Sequence, residues 1–293
     1  MKTAVKKSYF SRITPFSFAN GTLIVLLCLI TLYPLWYCLV SSFSDGALIM
    51  QGKITIWPKG FNMENYRVLL SYSMIGRAYI NTLFYVIAGT TLSIALTLLA
   101  AYPLTRPEFK ARRAMSFFIA FTMLFNGGMV PTFIVVQGLG LMDTVLAFIL
   151  PIALSAYNVI VLRTFMQTIP EELIEAGKID GCGHLLIFIA IVIPYSLIGI
   201  ITVMLFYLVA YWNSFMPGIL YIMVKPQLLP MQNILRKIVI SEESISESTV
   251  GNAQMAKGVQ YAAIVITALP LLCVYPFLQK YFEKGLMFGG IKG

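Results

Sequence analysis

Charge is scarce in this sequence. Of 293 residues, 11% are Asp, Glu, Lys or Arg while 59% are hydrophobic, and the mean hydropathy is +0.83. A soluble domain draws on about 25% charged residues, so the deficit excludes a water-facing globule and, equally, a disordered chain. Histidine occurs once, at His184. That leaves neither clustered ligands for an intramembrane metalloprotease nor a base for a serine nucleophile at membrane depth. Cys28, Cys38, Cys182 and Cys273 are scattered and form no CxxC pair, which excludes a disulfide framework and reads as four free thiols, with no metal site. No GxxxxGK[ST] stretch is present, so the chain cannot cradle a nucleotide phosphate by that loop. Together these absences weigh against an enzyme.

What is abundant is length of apolar run. A membrane span needs about 20 mostly apolar residues, and six runs qualify: Gly21–Phe43, Tyr79–Tyr102, Ala114–Gln137, Val145–Phe165, Leu185–Tyr211 and Val259–Leu278. The third is interrupted by Asn126-Gly127-Gly128 and Pro131. Lys2, Lys6, Lys7 and Arg12 precede the first run, but its apolar core exceeds a signal-peptide h-region and no A-x-A site follows, so it reads as a retained helix. None of the six carries Asp, Glu, Lys, Arg or His away from its ends. Proton- and voltage-driven machines keep such groups inside the membrane for coupling, so their absence disfavours that class.

The formal net charge of +9 reads, in a chain this apolar, as loops held beside an anionic leaflet rather than as a nucleic-acid surface. With the N-terminus inside, thirteen Lys and Arg fall on the cytoplasmic side and eight on the other, as the positive-inside rule requires. The expected architecture is an all-α polytopic membrane protein with six transmembrane helices and both termini cytoplasmic. Residues 1–20 form a basic tail, 21–281 the transmembrane body and 282–293 a second tail. The outside segments 44–78 and 212–258 have room for short helices, the link near Gly138–Asp143 is a tight turn, and Ser241–Thr249 is a polar loop.

The most unusual segment is the inside loop 166–184. Thr168 with Glu171 fits a capping box, and Pro170 suits a first helical turn. A helix from Ile169 to about Lys178 follows, broken at Asp180-Gly181, with Asp180 placed to cap the next helix. Gly177, Gly181 and Gly183 remove side chains around the corner, where another surface can approach. The alternative is a solvated connection with ordinary caps.

The run Glu175-Ala176-Gly177-x-x-Asp180-Gly181, followed by Phe188, Ile191 and Pro194, resembles the EAA loop of permease subunits of ATP-binding-cassette importers, E-A-A-x-x-D-G-A. It departs where Gly177 and Cys182 replace alanine. Pro58 through Asn65-Tyr66, Asn81-Thr82, Ala101–Arg106, Gln279–Phe282 and the final Lys292-Gly293 resemble the carbohydrate-uptake branch, of the second-permease type found in oligosaccharide systems. The resemblance implies a type I importer permease in the bacterial inner membrane. It implies a second homologous permease, two ATPase subunits, an extracytoplasmic solute-binding protein and a sugar substrate as partners. No cofactor is implied for this chain itself, ATP and Mg being used by the ATPase. Coupling then falls to Glu175, Ala176, Gly177, Asp180 and Gly181.

Sugars are held by aromatic faces and hydrogen-bonding amides, which makes Tyr207, Tyr211, Trp212, Asn213, Asn126 and Gln137 candidates for the substrate path. Interfacial anchoring and helix-to-helix bonding are the alternatives for the same residues. Arg236-Lys237 on the second outside segment is a candidate contact for the binding protein or for an acidic sugar. An ion-coupled secondary carrier and a non-sugar permease of the same superfamily remain open at this point.

Overall fold

The computed structural model describes residues 15–240 and 253–289, and among these every regular element is helical. The basic tail through Arg12, the polar loop Ser241–Thr249 and the terminal Lys292-Gly293 lie outside the described residues. The chain divides into two compact units, Met1–Leu69 with Glu242–Val265, and Leu70–Ser241 with Ile266–Gly293.

In the first unit, helix α1 (Pro15–Ser42) is long and apolar enough to cross a membrane, and 6% of its most apolar window is buried. Two short helices follow, α2 (Gly46–Met50) and α3 (Glu64–Ser71). Val40, Ile49 and Ile54 form a small core with Tyr37, Leu48 and Tyr261. Buried Asn65 donates from Nδ2 to the carbonyls of Ser42 and Ser44, each at 3.0 Å. The Tyr66 and Ser42 hydroxyls lie 2.7 Å apart. The last helix passes so close that a Cβ on Gly258 would stand 2.3 Å from Asn65 Oδ1.

The second unit is built on α4 (Ser73–Ala101). Its inner face repeats small and hydroxyl residues every three or four positions, Thr82, Val86, Gly89, Ser93 and Thr97, all buried. Small residues let helices approach, and buried hydroxyls bond across the contact because lipid offers no partner. Tyr85 stacks on Phe148 at 4.2 Å between centroids. Asn81 Nδ2 donates to the Gln227 and Leu229 carbonyls, and Thr82 Oγ1 accepts from Met231 N–H at 2.8 Å. The Asn81-Thr82 pair thus anchors the chain just before a short helix that begins at Met231.

Three expected spans are bent. Helices α5 (Arg112–Leu124) and α6 (Met129–Gly138) meet at 114°. There Asn126 Oδ1 accepts the Gly128 N–H and Gly128 has φ +87°, a conformation that glycine adopts without strain. Helices α7 (Val145–Ile149, continued as a tighter turn to Ile152) and α8 (Ala156–Met166) meet at 54°, across Pro151 and a break ending at Ser155. After the short helix α9 (Glu171–Ile179) come α10 (His184–Ile187), a π turn (Phe188–Val192) and α11 (Ile193–Tyr195). These meet α12 (Leu197–Asn213) at 79°, beside Pro194. Helices α13 (Met216–Tyr221) and α14 (Met231–Ile240) lie within residues 212–258, and α15 (Ala253–Gly289) contains the last apolar window, Ala256–Val274. Among the described residues three helices are long and apolar enough to cross a membrane by themselves, and up to six spans result if each bent pair counts as one.

The tight link expected near Gly138–Asp143 is a fastening. Asp143, at φ +58°, accepts three consecutive backbone N–H groups on one oxygen, from Met223 and Val224 at 2.8 Å and Lys225 at 3.0 Å. These donors hold its carboxyl below the ordinary 3.8, the Lys225 N–H contributing most. A depressed folded pKa means the fastening is complete above 3.8 and is lost as pH falls through the folded value. Asp143→Ala is therefore expected to raise amide exchange across 222–229 at neutral pH, with wild type reaching the same exchange only in strong acid. Hydrogen-exchange mass spectrometry reads both.

Candidate functional site

Helix α9 starts two residues later than the sequence suggests, and without the expected cap. Pro170, at φ −56° and ψ 131°, is the N-cap of α9 and no side chain caps it. A residue before proline is pushed out of the helical region, so Ile169 cannot be the first turn. Thr168 Oγ1 turns back to the Phe165 carbonyl at 2.8 Å, and the capping box with Glu171 does not form. Glu171 and Glu172 still occupy the first turn, where the helix dipole favours negative charge.

The far end is a Schellman motif. Cys182 N–H donates to the Gly177 carbonyl at 2.9 Å and Gly181 N–H to that of Lys178 at 3.0 Å, with Gly181 at φ +79°. Asp180 is the C-cap of α9, and Gly183 is the N-cap of α10 with no side-chain bond. The expectation that Asp180 caps the next helix is corrected: the left-handed turn at Gly181 closes α9 before any following N-terminus begins.

Around α9 the residues sort cleanly. Ile174 and Gly177 are buried, whereas Glu172, Glu175, Ala176 and Ile179 are exposed on a neighbouring stripe. Gly177 faces inward: a Cβ there would lie 3.1 Å from Ile191 Cδ1 and 3.4 Å from Ile187 Cγ1. Its smallness lets α9 press onto the following span and presents nothing to a partner, which corrects the expectation for that residue. Alanine fits if the tip of Ile191 yields by a few tenths of an ångström. Gly181 has open space around it and acts through its backbone angle. Ile179, 85% exposed, is a large apolar side chain on a helix whose own packing has no use for it. Spacing alone did not single it out.

A second loop supports this helix. Tyr102 packs on Phe188 at 4.8 Å between centroids, and its hydroxyl donates to the His184 carbonyl at 3.3 Å. Arg106 lies 5.2 Å over the Tyr102 ring and donates from Nε to Thr105 Oγ1. Glu108 pairs with Lys178. The segment Ala101–Arg106 is thus a buttress under the α9 corner. The hydrogen bond from Lys178 lowers the Glu108 carboxyl below 4.5, so the bond is complete above that value and fades as pH falls through the folded one. Both partners are over 40% exposed. Glu108→Ala is accordingly expected to cost only about 0.2–1 kcal/mol, readable as a small Tm shift in detergent.

The candidate substrate-path residues fall into two groups. Tyr207, Tyr211 and Trp212 are each no more than 3% exposed. The Tyr207 hydroxyl lies 2.7 Å from Thr97 Oγ1 and accepts Ser155 N–H at 3.0 Å. That of Tyr211 donates to the Ile149 carbonyl at 3.0 Å and lies 3.1 Å from Ser93 Oγ. Trp212 Nε1 donates to the Thr267 carbonyl. These three hold helices together in this conformation and offer no free ring face. Asn126, Gln137 and Asn213 are exposed. Asn126 lines an open cleft of about 600 Å³ where the α5–α6 and α7–α8 breaks meet, with Thr122, Met123, Phe125, Leu154 and Tyr157. Arg236 and Lys237 are exposed on α14, Arg236 lying 5.2 Å over the Phe215 ring. No group of three or more His, Cys, Asp or Glu able to hold a metal occurs among the described residues.

Over residues 93–287 the sequence matches the family described as binding-protein-dependent transport system inner membrane component. It is 40% identical, over 92% of this chain and 96% of the other, to the polygalacturonan/rhamnogalacturonan transport system permease protein YtcP of Bacillus subtilis. It is 39% identical, over 90% of each, to protein LplC of the same organism. The fold superposes with a TM-score of 0.87 and 30% identity, over 94% of this chain and 99% of the other, on a chain from the crystal structure of a bacterial ABC transporter involved in the import of the acidic polysaccharide alginate. That family carries ATPase and solute-binding partners and, in general, a second permease. The α9 corner, its buttress and the bent spans therefore belong to a member of the binding-protein-dependent inner-membrane transport family, a non-enzymatic permease subunit of an ABC transporter.

Proposed function

We propose that this chain is one half of a permease pair that imports an acidic oligosaccharide across a bacterial inner membrane, driven by two separate ATPase subunits and fed by an extracytoplasmic binding protein. Both termini and the α9 corner then lie in the cytoplasm, consistent with the excess of Lys and Arg on that side. The observation that carries the reading is the exposed stripe Glu172, Glu175, Ala176 and Ile179 on a helix braced from behind by Tyr102 and Lys178–Glu108. A helix laid in a groove transmits motion only if it cannot rotate away, and the buttress supplies that constraint. Glu175 makes a charge-assisted contact with a basic ATPase residue, Ile179 fills an apolar pocket of the groove, and Asp180 with Gly181 fixes the corner.

ATP binding closes the ATPase dimer and swings the two permeases between inward-open and outward-open states. The sugar passes beside the cleft lined by Asn126, with Gln137 and Asn213 as further hydrogen-bonding groups, and the outside segment bearing Arg236 and Lys237 meets the binding protein. The acidic character of the substrate rests on relatives named for polygalacturonan and alginate systems. This chain binds no cofactor; ATP and Mg are used by the ATPase.

Ile179→Asp, at a position 85% exposed where little packing is lost, is expected to lower recovery of the ATPase at least tenfold in a tagged purification from solubilised membranes. The same purification tests the reading as a whole. Wild type should bring down a second permease and an ATPase, and wild type recovered alone would favour a secondary carrier.

A further inference from the structure

The α5 and α8 ends beside the coupling corner enclose a cleft that the transport reading does not use. It has a volume of about 320 Å³ and is lined by Arg112, Arg113, Ser116, Arg163 and Gln167. Three of these five residues are arginines and no carboxylate lines the cleft. None of the three is in an ion pair within the described residues. Arg163 uses one terminal nitrogen to donate to Ser116 Oγ at 3.1 Å, while its Nε is out of solvent contact and has no hydrogen-bond partner. Helix α5 begins at Arg112 with no side-chain cap, adding the positive end of its dipole. A concentration of guanidinium groups without carboxylate partners around an open cleft is the arrangement that takes a phosphate, whose oxygens accept bidentate, charge-assisted bonds. Exposed phenylalanines flank it on α5, Phe117 at 73% and Phe118 at 62%, so the cleft opens where apolar helix surface gives way to basic residues. An apolar helix surface that gives way to basic residues is the pattern that meets an anionic headgroup at a membrane boundary.

We propose that this cleft binds the phosphate of an anionic phospholipid in the leaflet on the coupling-loop side, with Arg113 and Arg163 gripping the phosphate from two different spans. Arg163 lies in the last turn of α8 and Gln167 follows it, directly before the coupling segment. A bound headgroup therefore clasps the start of α5 to the end of α8 and fixes the base from which α9 projects. An Arg-rich cleft can also be filled by free phosphate, and the experiment separates the two sources.

The complete transporter, purified with its partner subunits, is placed in nanodiscs of phosphatidylcholine with phosphatidylglycerol, and retained lipid is counted by native mass spectrometry after gentle release. Wild type is expected to keep a phosphatidylglycerol that survives competition by inorganic phosphate. Arg113→Gln and Arg163→Gln should each lower its retention at least tenfold, while Arg163→Lys restores part of it. Arg113 is exposed, so its variant reports even where the change at Arg163 disturbs folding. Equal retention by wild type and Arg113→Gln overturns the proposal. So does displacement of the lipid by inorganic phosphate, which would make this a free-anion site. Loss of a protein partner from Arg113→Gln with lipid unchanged overturns it as well, by making the cleft a subunit contact. None of these readouts depends on which sugar is carried or on whether transport occurs.

Discussion

A Glu175→Lys permease is expected to insert in the membrane, pair with its partner permease and transport nothing. Glu175 is exposed on α9 and makes no side-chain bond among the described residues that the substitution would break, so the fold has no reason to respond. The reversed charge instead faces the basic ATPase residue that the carboxylate is proposed to hold, turning an attraction into a repulsion in a partly desolvated groove. Losing one partner of a buried charged contact between proteins costs about 2–5 kcal/mol, a factor of roughly thirty to several thousand in affinity at 1.4 kcal/mol per decade. Uptake of labelled substrate should fall to background while blue-native electrophoresis still shows the permease pair. Full transport at normal expression would remove Glu175 from the coupling contact.

The largest stability effect is expected at Gly89, far from any partner. A Cβ at this position would stand 2.5 Å from Cζ of Tyr211, and 2.7 and 2.8 Å from its two Cε atoms. The ring lies flat on the glycine and cannot retreat, because its hydroxyl is fixed between the Ile149 carbonyl and Ser93. Gly89→Val must displace the ring and break both bonds, leaving buried polar groups of α4 and α7 unpaired. Overpacking costs about 1–3 kcal/mol, and an unsatisfied buried group about 1–3 kcal/mol more. A loss of about 3 kcal/mol or more is expected, visible as a much lower melting temperature of the solubilised protein and reduced steady-state level. Gly181→Ala sits in open space and strains only the backbone, so it should cost less.

The contrast between these two sites explains what the sequence could tell. Apolar run length gives the spans because hydrocarbon thickness imposes it, and α1, α4 and the last apolar window all fall where the runs are. The breaks at Asn126–Gly128 and Pro194 are written in residues that cannot continue a helix, although their angles depend on packing across the bundle. The coupling corner is legible because Asp180-Gly181 encodes a left-handed stop, yet its details were misplaced. Thr168 and Asp180 both offer side-chain oxygens suited to capping, and local pattern cannot see that Pro170 delays the helix or that the Schellman turn already satisfies the carbonyls. Gly177 reads as room for a partner until Ile187 and Ile191 are found filling that room. Glu108 pairs with Lys178 across 70 residues, and Asp143 binds backbone groups about 80 residues away. Contacts of that separation leave no periodic trace. Tyr207 and Tyr211 carry the composition of a sugar site and the geometry of a helix clasp, a distinction made only by the partners at Thr97, Ser93 and Ile149.

The measurement that bears most directly on the central claim is the ATPase rate of the reconstituted transporter, with and without a binding protein loaded with an acidic oligosaccharide. The account predicts that the loaded binding protein raises ATP hydrolysis severalfold in wild type and that Glu175→Lys, with its subunits still present, abolishes the stimulation. Stimulation of equal size in both would contradict it, since the α9 stripe would then not be the path by which substrate and ATPase communicate.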